Sequence, residues 1–112
     1  MHDQIQLVPA GVADALVRNA LTDIIPPLLR YIEGWQLRSS CLKGQLAVHP
    51  PGSEEYGLAQ RRTEELRREI EAHRRHLIRE TAQLPPDDRI DGLLQEMDGL
   101  LLAISGAERR AS

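Results

Sequence analysis

Phenylalanine is absent from the 112 residues, and Tyr31, Trp35 and Tyr56 make up the whole Phe–Tyr–Trp complement. A core without more aromatics must be assembled from Leu, Ile, Val and Ala, which suits helices packed through aliphatic ridges. Strand formers are equally sparse, while Leu, Ala, Glu, Gln and Arg, all good helix formers, dominate. The longest apolar stretches, Leu100 to Ile104 and Ile24 to Leu29, fall far short of the roughly 20 residues a membrane span needs, so no membrane partner is expected. Met1 to Val8 has no basic region followed by an apolar run, which excludes the signal-peptide pattern there. A single cysteine, Cys41, rules out an internal disulfide and agrees with a reducing cytoplasm.

Positive charge is also short. The net charge is −3, whereas a general nucleic-acid binder is usually basic. Thirteen arginines against one lysine, Lys43, are read as a genome-composition bias. No phosphate-binding glycine loop, G-x-S-x-G turn or paired-cysteine zinc spacing occurs. No enzyme signature is present, no cofactor is implied, and no known family is recognised.

What the chain does contain is helix punctuation. After a lead over residues 1–9, apolar Val12, Ala13, Leu16, Val17, Ala20, Leu21 and Ile24 keep one face of a helix over 10–25. Pro26-Pro27 removes two amide donors and is expected to end or kink it. A second helix over 27–47 aligns Leu28, Ile32, Trp35, Leu42 and Leu46, with Ser39 in the gap. His49-Pro50-Pro51-Gly52 stops it, and Ser53 is a good N-cap for a third helix.

That third helix, over 53–84, is the most informative segment. It holds seven glutamates and seven arginines between Glu54 and Glu80, while Leu66, Ile70, His73 and Leu77 recur at 4, 3, 4 spacing. The pattern is that of a charged helix with a narrow, coiled-coil-like seam, roughly 45 Å long at 1.5 Å per residue. Pro85-Pro86-Asp87-Asp88 then restarts a fourth helix over 87–105, with Ile90, Leu93, Leu94, Met97, Leu100, Leu101 and Ile104 on one face. Ser105-Gly106 should close it, leaving 106–112 frayed. The fold class expected is therefore all-α: one domain, an antiparallel bundle of three to four helices with the 53–84 helix as spine.

Candidate chemistry is thin. At 100° per residue Arg61, Arg68, Arg75 and Arg79 fall within about 40° of one another, opposite the seam. They form a basic stripe or a solvated face whose charge Glu64 (to Arg68) and Glu71 (to Arg75) would cancel. His73 and His76 have H-x-x-H spacing, but no second helix supplies matching ligands, so no metal site is assigned. Cys41 would need His49 or His73 as a base, and nothing in the sequence fixes that geometry. Trp35, with Tyr31 and Arg38 beside it, is the best anchor for the core or for a partner.

The functional expectation is a non-enzymatic protein–protein interaction module, an adaptor, small chaperone or scaffold subunit, cytoplasmic and self-associating as a homodimer. Its partner-binding residues are taken to be Tyr31, Trp35, Arg38, Arg61, Arg68, Arg75 and Arg79. The alternative is a nucleic-acid-associated helical subunit or regulator using the arginine stripe.

Overall fold

The structure is a computed structural model that describes residues 10–111, with side chains described for residue 15 and residues 18–107. It contains three helices, α1 (Ala10–Val48), α2 (Glu54–Glu80) and α3 (Asp88–Ala111), each packed on the other two, with no strand among the described residues. The expected all-α bundle is what forms. The lead over 1–9 lies outside the described residues.

The main departure is at Pro26-Pro27, where the expected break between helices 10–25 and 27–47 does not occur: α1 runs through both prolines for 39 residues. An interior proline costs about 3 kcal/mol because it removes an amide donor and crowds the carbonyl four residues back. Here the loss falls on the solvent side, since Pro26, Thr22 and Asp23 are all exposed and water can satisfy the released carbonyls. Thr22 Oγ1 donates to the Arg18 carbonyl at 2.7 Å, a contact that itself eases helix bending. Leu21 and Leu28, on either side of the pair, are both buried in the core. Their burial, at about 1.5–3 kcal/mol for each large aliphatic side chain, offsets much of the local penalty of the two prolines.

The turn between α1 and α2 agrees closely with the sequence. Gly52 has φ +91°, a conformation that favours glycine, and lets the chain reverse. Ser53 Oγ donates to the Pro50 carbonyl at 2.8 Å and accepts from the Tyr56 amide at 3.2 Å, capping α2. At its other end α2 stops at Glu80 rather than Leu84. Thr81 Oγ1 donates to the Leu77 carbonyl at 2.7 Å, and Pro85 forces the residue before it out of helical geometry. α3 begins at Asp88, just after Asp87, whose carboxylate accepts the Arg89 amide at 2.8 Å. It then continues past Gly106 to Ala111, beyond the expected end at 105. Gly106 does not take a positive φ, so it does not act as a C-cap, and the buried Ala107 gives the helix a reason to go on.

The register is a simple hairpin. Leu46 packs with Tyr56 and Ala59 near the turn, Trp35 and Arg38 meet Glu69 midway, and Ile24 lies beside Glu80 at the far end. α1 and α2 are thus antiparallel. α3 returns alongside α1 in the parallel sense, with Gln36 sharing a shallow concavity with Gly92 and Gly99. The main core joins Leu28, Ile32, Trp35 and Leu42 of α1, Leu66, Ile70 and Leu77 of α2, and Ile90, Leu93, Met97, Leu100 and Ile104 of α3. Because α1 is the longest element, about 58 Å by its rise, the molecule is elongated, 70 × 21 × 17 Å.

Candidate functional site

Three of the seven residues singled out from sequence come together. Trp35 is 1 % exposed, so the bundle closes over it and it is a core anchor. Its indole Nε1 donates to Glu69 Oε2 at 2.5 Å, and Arg38 Nη1 donates to the same oxygen at 3.0 Å. A buried indole needs an acceptor, and the α2 flank supplies one. Burial of Glu69 raises its carboxyl pKa, but the hydrogen bonds from Trp35 and Arg38, with the charges of Arg38 and His73, outweigh that and hold it below the ordinary carboxylate range.

Tyr31 lies one helical turn before Trp35 and stacks on it, ring centroids 5.9 Å apart. His73 completes the cluster, 4.6 Å from Tyr31 and edge-on to Trp35 at 5.1 Å. His73 Nδ1 lies 2.9 Å from the Glu69 carbonyl; a carbonyl only accepts, so Nδ1 carries the proton. Unlike its neighbours, Tyr31 is 50 % exposed. It therefore stands as a ridge between two concavities. One, of about 260 Å³, is mainly apolar and lined by Ile24, Pro27, Leu28 and Leu77 with His73, His76 and Glu80 at its rim. The other, of about 470 Å³, lies between Arg30, Gly34, Trp35, Arg38 and Glu69. Both reach Pro27, so the second proline of the pair forms part of the wall of each.

The other four residues are elsewhere. Arg61, Arg68, Arg75 and Arg79 are exposed on the outer face of α2. The expected pairs do not form. Glu64 pairs with Arg67 instead of Arg68, and no ion pair joins Glu71 to Arg75. Among the described residues none of the four arginines has a carboxylate within 4.0 Å, whereas Arg38, Arg67, Arg74 and Arg89 all do.

Glu69 is the residue that sequence reasoning missed. The signal was there: Trp35 and Glu69 each stand seventeen positions from Gly52, and Tyr31 and His73 each stand twenty-one from it. The remaining chemistry is modest. His76 Nε2 is 3.1 Å from Glu80 Oε1, within one helix. Cys41 is exposed, and among the described residues no group of three or more His, Cys, Asp or Glu side chains is gathered to hold a metal. No helix among the described residues is long and apolar enough to cross a membrane. No protein-family model, curated protein or solved structure matches the chain.

Proposed function

We propose that this chain is a non-enzymatic protein–protein interaction module, an adaptor, small chaperone or scaffold subunit working in the cytoplasm. Its partner-binding surface is the ridge of Tyr31 with the concavity on either side. The observation that supports this reading is that Tyr31 is half-exposed yet seated on the buried Trp35 and on His73. A tyrosine held this way offers large contact area at little entropic cost, the usual property of a binding anchor. The apolar concavity suits a bulky aliphatic or aromatic side chain of the partner. Arg30 and Arg38 beside the second concavity suit a carboxylate near it. A photo-crosslinking residue at position 31 should capture a partner from source-cell extract that the same residue at position 68 does not. Equal capture at both positions would reject the Tyr31 surface.

A second reading, association with nucleic acid through Arg61, Arg68, Arg75 and Arg79, is favoured by one observation, the absence of carboxylate partners for that row among the described residues. The overall charge of −3 opposes it. Phosphate contacts are strongest at low salt, so oligonucleotide binding absent at ~50 mM salt would remove this reading.

A further inference from the structure

α1 carries two faces that are both mainly apolar, and the bundle uses only one. The core positions Leu28, Ile32, Trp35, Leu42 and Leu46 lie together; about 170° around the helix lie Leu37, Cys41, Gly44 and Val48, at the 4, 3, 4 spacing of a coiled-coil seam. Leu37 is 71 % and Val48 77 % exposed, the two highest values among the exposed large hydrophobic residues, and Cys41 and Gly44 between them are exposed as well. The face is also free of charge. Within 37–48 the charged residues are Arg38 and Lys43, and each points about 90° or more away from the seam.

We propose that the chain self-associates through this outer seam of α1, as an antiparallel twofold dimer. Three observations select a second copy as the occupant. First, the seam is self-complementary: with the twofold axis between Cys41 and Gly44, Leu37 meets the partner's Val48 and Cys41 meets the partner's Gly44. Second, the small residues sit at the centre, where two helices approach most closely. No atom comes within 4 Å of a Cβ built on Gly44, so the space there is open to a neighbour. Beside the seam, a concavity of about 410 Å³ has Leu37, Cys41, Leu42 and Gln45 along α1 and Arg38, Arg62 and Glu65 also in its lining, and the partner's Val48 would lie against its α1 wall. Third, charge disfavours two of the other outer faces. The α2 face would set four arginines that lack a carboxylate partner among the described residues against four more, and the Tyr31 face would bring Arg30 and Arg38 up to their own copies.

The seam is only about three turns long, well short of the ~800 Å² per partner typical of stable complexes. Association is therefore weak, and it leaves the ridge of Tyr31, on another side of α1, uncovered. Sedimentation equilibrium on the intact chain from micromolar to millimolar concentration is the test. The expected mass rises from 12.6 kDa toward twice that value. A Leu37→Glu, Val48→Glu variant should weaken association by about tenfold or more, because it places carboxylates in the contact. At micromolar concentration, where both chains are monomeric, its helical signal and melting temperature should not change, since both positions are exposed. A short bismaleimide, reaching about the 8 Å between packed helices, should join two wild-type chains through Cys41 and fail with the variant. A monomer at every concentration, an assembly larger than a dimer, or a dimer indifferent to both glutamates would each overturn the proposal.

Discussion

The two flanks of α2 are written in the same alphabet of arginine and glutamate, yet they end differently. On the flank facing α1, Glu69 takes hydrogen bonds from Trp35 and Arg38; toward α3, Arg74 Nε donates to Asp98 Oδ1 at 2.8 Å. On the outer face Arg61, Arg68, Arg75 and Arg79 find no carboxylate among the described residues. A pairing four residues along an exposed helix is worth only about 0.2–0.5 kcal/mol. Partners on another helix, fixed by the core and partly shielded from water, compete better for the same side chains. Among the described residues, Arg38–Glu69 and Arg74–Asp98 follow tertiary register, while Glu64–Arg67, His76–Glu80 and Asp87–Arg89 are local pairs.

If that contrast is right, the largest loss should come from the inner flank. Trp35→Ala removes a 1 % exposed indole and also leaves Glu69 without its shortest hydrogen bond. Denaturant unfolding should register a loss of about 3–5 kcal/mol. A loss under about 1 kcal/mol would mean that the flank is not organised around Trp35. Glu69→Ala should cost less, about 1–3 kcal/mol, because it leaves the buried indole donor unsatisfied. The Arg38 contribution should be smaller still, about 0–1 kcal/mol, since both partners of that ion pair keep substantial exposure. A double-mutant cycle of Glu69→Ala with Trp35→Phe separates the indole bond from the ion pair.

The same contrast marks what the sequence disclosed. Periodicity placed the core well: Leu28, Ile32, Trp35, Ser39, Leu42 and Leu46, then Leu66, Ile70 and Leu77, are all buried. The cap at Ser53 and the turn at Gly52 were equally readable, because each rests on local chemistry. The misreadings share a cause. Pro26-Pro27 and Gly106 carry strong local stop signals that are overridden by packing on either side, and no window of sequence contains that packing. At the candidate site Trp35 and Tyr31 stood out by type, but Glu69 did not, since only the hairpin register sets it opposite Trp35. Counting outward from Gly52 would have found it.

A pH titration sharpens the inner half of the comparison. Glu69 has its pKa lowered in the folded chain from an ordinary value of 4.5, so its stabilising contribution is fully present above that pH. The contribution should decline as pH falls through the lower folded value, where the bound carboxylate takes up a proton. Asp87 is lowered in the same direction by its hydrogen bonds to Arg89, from an ordinary 3.8, and adds to the acid slope. Glu69→Gln should therefore flatten the fall in melting temperature below about pH 4.5 without abolishing it, and Asp87→Asn should remove a separate share. Equal slopes for Glu69→Gln and wild type would place the sensitivity elsewhere.

The smallest effect belongs to the outer row. Exchanging Arg68 or Arg75 for alanine deletes no ion pair among the described residues and leaves a good helix former, so stability should stay within about 0.5 kcal/mol of wild type. Glutamate at position 68 would add to the charge of Glu64 and Glu65 and should lower stability slightly, an effect that salt should screen. A loss above about 1 kcal/mol from either alanine would show that the row is held by an interaction within the fold and would erase the contrast between the flanks. Near-neutral alanines that nonetheless abolish binding to a polyanion would leave the contrast standing and assign the row to a partner. The difference between those outcomes decides whether the outer arginines are a solvated surface or a second face of recognition.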